Sequence, residues 1–308
     1  MKKRKLSLFK IILIVFVSAS CFAGETPPQI YIALGDSVSS GYGLPGYIAS
    51  PQGKHPSIFF ENLKNMGFAD SYHNMAITGF TTTNLLNLLN NTGSDKKMLF
   101  QNASVVTVNI GGNNLIEPFL AYVAGTELFS AVDRIRRATW FGDILYGFNS
   151  LMEFMEGFHE GESEIPSPEL EAKLDESVER FSREFEEIIL WIQEYAPNAI
   201  IIANTVHNPI PHNIMGVSIE SISNWVDSFV GNMNSKIIEK SSSKGFLVTD
   251  THSHFLNRLD LMNFNLNPFW GPLSFDIIHP NAEGHRLIAR LNYATFVQYV
   301  QNNSTDRR

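Results

Sequence analysis

The chain has 308 residues, 44% of them hydrophobic, enough to bury one large core or a core with a cap. Its formal net charge of −8 argues against a nucleic-acid ligand. Its single cysteine, Cys21, excludes an intrachain disulfide and any cysteine-based metal site.

Residues 1–23 read as an export signal. Lys2, Lys3, Arg4, Lys5 and Lys10 make a basic start, Ile11 to Val17 are apolar, and small residues follow at Ser18, Ala19, Ser20 and Ala23. The apolar run is shorter than the roughly 20 residues of a membrane-spanning helix. Without these five basic residues the formal charge moves from −8 to −13, further from any polyanion binder. Ser18-Ala19-Ser20-Cys21 faintly resembles a lipoprotein cleavage site but carries Ser where Leu is usual. The expectation is therefore an exported protein, secreted or periplasmic, without a lipid anchor on Cys21.

The remainder, 24–308, reads as one domain. Apolar runs of strand length occur at Ile30–Leu34, Val105–Ile110, Ala199–Ala203 and Gly245–Val248. Helical patterns lie between and after them, at Ile58–Met66, Thr83–Leu89, Pro168–Tyr195, Ser218–Ser242 and Ala282–Val300. Continuous β-branched runs separated by helices predict a parallel sheet covered on both faces, hence a three-layer α/β fold. The Pro168 helix has readable ends: Ser167 as N-cap, Pro168 at the first helical position, Glu169 and Glu171 in the first turn, and Pro197 beyond its end. Two stretches exceed the about 12–15 residues of an ordinary connection and are rich in Phe, Trp and Leu. They are 114–167 and 251–275, read as cap segments over the strand ends.

Chemistry concentrates at the two ends of the domain. Gly35-Asp36-Ser37 follows the first strand, where a serine hydroxyl can project above the sheet edge as a nucleophile. Asp276-Ile277-Ile278-His279-Pro280 supplies a base and, three residues before it, a carboxylate. That carboxylate can hold Nδ1–H, leaving Nε2 to take the serine proton. Pro280 is expected to keep His279 out of the following helix. Each motif alone is an ordinary turn; together they read as a serine hydrolase whose acid and base share one loop. Acyl transfer also needs donors for the developing oxyanion. Gly79, after a strand around Asn74, can bring its backbone N–H close to substrate, and Asn113, just past the Val105 strand, can offer its side-chain amide.

These four blocks, Ser37 in Gly-Asp-Ser, Gly79, Asn113 in Gly-Gly-Asn, and Asp276-x-x-His279, resemble in order and spacing those of the SGNH (GDSL) hydrolases. The resemblance runs from residue 30 to residue 300. It implies a flavodoxin-like α/β/α sandwich with Ser37 as nucleophile, His279 as base and Asp276 as orienting acid. It also implies an oxyanion hole of Ser37 N–H, Gly79 N–H and the Asn113 amide. Asn114 departs from the Asp that the family often carries there, at a position read as non-chemical. An α/β-hydrolase reading fails, because Ser37 comes too early and Asp276 lies too close to the histidine.

Asp250-Thr251-His252-Ser253-His254 has the look of a metal site but shows no third ligand, so neither metal nor cofactor is expected. His207 and His212 are expected to border the cleft. The apolar caps and the export signal favour a secreted lipase or esterase acting on lipid or acyl esters, able to touch lipid surfaces transiently and needing no protein partner. A carbohydrate O-acetylesterase of the same fold, or a silent lipid- or glycan-binding surface protein, are the alternatives.

Overall fold

The computed structural model describes residues 29–46, 52–123, 167–214, 216–265 and 274–305. The expected signal segment 1–23 with Cys21, and most of the expected cap 114–167, lie outside the described residues.

Five strands form one parallel sheet: β1 (Ile30–Gly35), β2 (Ser71–Asn74), β3 (Ala103–Asn109), β4 (Ile200–Asn204) and β7 (Leu247–Thr249), in the order β2-β1-β3-β4-β7. Between β4 and β7 the chain makes a small antiparallel pair, β5 (Asn213–Ile214) with β6 (Val217–Ser218). Side chains alternate across the main sheet, as a strand's period of two requires. Ile30, Ile32 and Leu34 of β1, Val106 and Val108 of β3 and Ile201 of β4 enter one core; Tyr31, Ala33, Val105 and Ile202 enter the other. The larger core is closed by α3 (Thr82–Asn90), α4 (Ser94–Gln101), α5 (Gly112–Val123), α6 (Pro168–Tyr195) and α7 (Glu220–Lys244). The smaller is closed by α2 (His55–Asn65) and α9 (Ala282–Thr305), through Phe59, Leu63, Ala289 and Phe296. Two single turns, α1 (Ser37–Ser40) and α8 (His252–Phe255), follow β1 and β7. The result is the expected three-layer α/β sandwich.

Helix ends follow the local chemistry. Ser167 caps α6 by accepting the Leu170 N–H at 3.2 Å, with Pro168 behind it and Glu169 and Glu171 in the first turn. Thr81 and Asn84 form a capping box at the start of α3. Pro118 sits inside α5 and cannot donate to the carbonyl four residues back, that of Asn114. Ser177 of α6 supplies the missing donor, its Oγ lying 2.5 Å from that carbonyl.

The sheet order matters for function. From β1 the chain crosses to β2 on one side, and β3 then pairs with β1 on the other, so the connections part at the carboxyl end of β1. Open α/β sheets bind ligands at such a switch point. Gly35 ends β1 paired with Asn109 at the end of β3. A Cβ on Gly35, at φ +155°, would meet the Asn109 carbonyl at 2.3 Å, so only glycine lets the two strand ends approach and the chain turn into the site.

The C-terminal region differs from the expected turn before a helix. Met262–Asn265 (β8) and Ser274–Pro280 (β9) form an antiparallel pair, so Asp276 and His279 stand on a strand. In a regular strand, residues three apart face opposite sides. A register irregularity between Met262 and Phe264 breaks that alternation. Asp276 Oδ1 accepts the backbone N–H groups of Ile278 and His279, each at 3.1 Å, which folds the strand locally around the carboxylate.

Candidate active site

Ser37 opens α1, directly after β1. Asp36 is its N-cap and accepts the Val38 N–H at 3.0 Å. The Ser37 carbonyl accepts from Gly41 and Tyr42 backbone N–H groups, each at 3.0 Å, which fixes the backbone at Ser37. Ser37 Oγ lies 3.0 Å from His279 Nε2, and His279 Nδ1 lies 2.8 and 2.9 Å from the two carboxylate oxygens of Asp276. Residues 242 positions apart thus meet in hydrogen-bond contact, in the serine–imidazole–carboxylate order that activates a hydroxyl.

Gly79 follows β2, the neighbour of β1 on one side; Asn113 follows β3, its neighbour on the other. Both therefore flank Ser37 at the same sheet edge. Gly79 adopts φ +84° with open space where a Cβ would stand, so backbone conformation, not crowding, selects glycine there. The N–H groups of Ser37 and Gly79 make no hydrogen bond among the described residues. Asn113 spends one amide hydrogen on the Phe80 carbonyl at 2.9 Å, which orients the amide and leaves its second hydrogen unspent among the described residues. These are the donor types an oxyanion requires.

Several contributors are not evident from sequence. Asn74 Nδ2 reaches the Ser39 carbonyl at 2.8 Å, and Thr78 Oγ1 lies 2.9 Å from Ser40 Oγ; together they tie the Gly79 loop to the Ser37 turn. Asn263 donates to the Gly43 carbonyl at 3.1 Å and ties the β8–β9 hairpin to the same turn. His207 Nε2 lies 3.1 Å from the carbonyl of Ile278, the residue before His279. Burial pushes His207 down to about 4, so at neutral pH it is an uncharged donor to that carbonyl. Asn114, read from sequence as non-chemical, is fully buried and hydrogen-bonded to Thr82. No sequence period could have marked these residues, because each acts through a partner distant in the chain.

The electrostatics centre on Asp36. Burial pushes its carboxyl up to about 6, opposed by the Val38 N–H and by attraction to His279. Below the site, His55 and His285 are completely buried with rings 5.7 Å apart; burial lowers His55 well below its usual value and His285 to about 3. His55 Nε2 lies 3.2 Å from Ser39 Oγ, so this neutral pair supports the Ser37 turn from beneath.

The other histidines have separate partners. His252 Nε2 lies 2.7 Å from Asp227, whereas His254 Nδ1 lies 2.8 Å from the carbonyl of Asp250. Among the described residues no group of three or more His, Cys, Asp or Glu side chains could hold a metal.

Comparison with known proteins places the chain in a family and among structures of like fold. A family model described as GDSL-like lipase/acylhydrolase matches residues 33–287. No curated protein matches the chain significantly. Among solved structures, the lipase Lip_vut3 from a goat rumen metagenome superposes with a TM-score of 0.58 at 16% identity, covering 87% of this chain and 97% of its own. Phospholipase A1 from Streptomyces albidoflavus NA297 gives 0.53 at 18% identity, covering 87% and 99%. An extracellular lipase from Streptomyces rimosus gives 0.51 at 16% identity, again covering 87% and 99%. At these identities the likeness is one of fold.

Proposed function

The chain belongs to the GDSL-like lipase/acylhydrolase family and is an ester-bond hydrolase; from that premise we propose that it is an exported serine esterase or lipase cleaving acyl or lipid esters through an acyl-enzyme at Ser37. The observation that carries this reading is His279 bridging Ser37 Oγ and the Asp276 carboxylate.

Ser37 Oγ attacks the ester carbonyl while its proton passes to His279 Nε2, and Asp276 holds the imidazolium through Nδ1–H. The carbonyl electron pair moves onto oxygen, where the Ser37 and Gly79 N–H groups and the Asn113 amide receive it. Collapse expels the alcohol, which takes the proton from Nε2. Water then gives its proton to His279, attacks the acyl-enzyme, and releases the acid as the proton returns to Ser37.

The substrate assignment rests on the rim of the site. Tyr42 and Ile278 are each 37% exposed and Ile77 is 42% exposed, on the three segments that carry nucleophile, base and Gly79. Large apolar side chains in that arrangement suit an acyl chain better than a sugar ring. Export is supported by the basic and apolar start of the chain, and one structure of like fold is described as extracellular.

The test is hydrolysis of p-nitrophenyl esters from acetyl to palmitoyl by protein lacking residues 1–23, beside Ser37→Ala. Activity peaking at medium or long chains and lost in the variant supports the reading. Activity confined to acetyl moves the substrate to sugar or other small acetyl esters. Activity that survives Ser37→Ala removes the nucleophile assignment.

A further inference from the structure

Asn114 and Glu184 stand on different helices, and one hydroxyl, that of Thr82, bonds to both. The Thr82 backbone N–H donates to Asn114 Oδ1 at 3.1 Å, which fixes the orientation of the amide, since only its oxygen can accept. Asn114 Nδ2 must then donate to Thr82 Oγ1, at 2.8 Å. The single proton of Thr82 Oγ1 is left for Glu184 Oε2, at 2.5 Å, while Glu184 Oε1 accepts the Thr83 hydroxyl at 2.7 Å. Asn114 and Thr82 are completely buried, so each donor and acceptor in this chain must be matched within the protein.

We propose that Asn114 and Glu184 are a polarity-matched pair of positioning residues that hold the oxyanion-binding half of the site in register. The inference rests on the assignment of Gly79 and Asn113 as oxyanion donors made above. Asn114 follows Asn113 directly, and Thr82 starts the helix that follows Gly79. The pair clamps those two segments together across the end of the sheet. Ser177 holds the Asn114 carbonyl that Pro118 leaves without a helical donor, so the clamp is anchored to α6 on its far side.

The polarity has a definite consequence. In Asn114→Asp, both flanking groups are acceptors competing for one hydroxyl proton, and two carboxylates face each other across a single oxygen. Adding Glu184→Gln to the same chain reverses the direction and satisfies every group. Thr82 Oγ1–H then donates to the carboxylate introduced at position 114. The amide introduced at position 184 donates its N–H to Thr82 Oγ1 and accepts the Thr83 hydroxyl on its oxygen. A pair serving only to pack two helices would not recover turnover through that reversal.

The test is a double-mutant cycle on a soluble p-nitrophenyl ester, reading kcat, KM and thermal midpoint for Asn114→Asp, Glu184→Gln and both together. Asn114→Asp is expected to lower kcat by about tenfold or more with KM within about twofold, because donor placement and not binding is disturbed. Glu184→Gln alone stays within about threefold of the parent, and the double variant returns to about the level of Glu184→Gln. A double variant no better than the product of the two singles overturns the proposal, as does Asn114→Asp with the parent's kcat. Should Asn114→Asp not fold, Thr82→Val removes the shared hydroxyl alone; an unchanged kcat there is equally fatal. Ser37→Ala measured in parallel separates the two levels: full activity in that variant rejects the site assignment itself.

Discussion

The ring of Tyr42 lies against the imidazole of His279, with centroids 4.6 Å apart and planes inclined by 53°. Tyr42 follows the nucleophile turn and His279 ends the β8–β9 hairpin, so this contact joins the two ends of the chain over the site. It limits how far the imidazole can swing from Ser37. Tyr42 leaves part of its side chain exposed, as Ile77 and Ile278 do. Tyr42→Ala is therefore expected to lower kcat for every ester by about threefold to tenfold and to raise KM selectively for long acyl chains. An equal loss on acetyl and decanoyl esters would confine Tyr42 to holding the base.

Asp276 serves two purposes with one carboxylate. It orients His279 Nδ1, and its Oδ1 accepts the N–H groups of Ile278 and His279 that fold the strand. Asp276→Asn keeps an oxygen for the backbone but presents an amide or a single acceptor to the ring. The expected result is a loss in kcat on the order of 10²–10⁴ with a thermal midpoint near the parent's. Steady-state kinetics beside a melting curve checks both halves. A kcat within about threefold of the parent would assign Asp276 to the turn alone.

The strands β1, β3, β4 and β7 are legible in the sequence because buried parallel strands are written as unbroken apolar runs. The helix Pro168–Tyr195 is legible at both ends because Ser167, Pro168 and Pro197 are local signals. The segment Ser94–Gln101 is not, since Ser-Asp-Lys-Lys-Met-Leu-Phe-Gln buries little beyond Phe100 and shows no clear stripe. Nor is the β8–β9 pairing, because nothing in Met262–Asn265 names its partner. At the site, Ser37, Gly79, Asn113, Asp276 and His279 stand out as chemistry-bearing types beside turns. Asn74, Thr78, Asn114 and Glu184 do not, because their significance is a contact between distant segments.

Asp36 is held at a cost. Its carboxyl is buried and its pKa stands at about 6 against an ordinary 3.8. Between those values the folded state keeps a proton that the unfolded chain has lost, so stability falls as pH rises through the window and stays lower above it. Asn is an equally good N-cap and carries no charge to desolvate. Asp36→Asn is expected to be more stable than the parent at pH 8, by about 1–3 kcal/mol, with the advantage gone at pH 4. It should also be several-fold slower, since the electrostatic attraction between Asp36 and His279 is lost. Denaturant midpoints at the two pH values check the first statement and kcat at pH 8 the second. Greater stability with unchanged kcat would leave Asp36 a cap and nothing more.

His55 and His285 act in the opposite sense, and the two effects meet in one pH range. Both rings are neutral in the folded protein: His285 is lowered to about 3 and His55 well below 6.5, because burial penalises the cation. The unfolded chain protonates them near 6.5, so their contribution is complete above that value and is lost as pH falls toward the folded values. His207, lowered to about 4, adds a third proton of the same sign over most of that window. Asp36 opposes them by one proton between about 6 and 3.8. Near pH 5 these four groups together leave the unfolded state with an excess of about two protons, so stability declines with acid. His285→Asn keeps an acceptor for the His55 N–H, which His285 Nδ1 holds at 3.2 Å, and removes one titrating ring. The variant should be less stable at pH 7.5 because it loses packing. Its decline between pH 6 and 4 should be shallower by about one proton, or about 1.4 kcal/mol per pH unit. Urea midpoints taken every half unit across that range measure the difference in slope directly. Parallel curves for parent and variant would mean that the His285 ring gains its proton in the folded state as readily as in the unfolded chain, and that the buried pair beneath Ser37 is not what makes the site acid-labile.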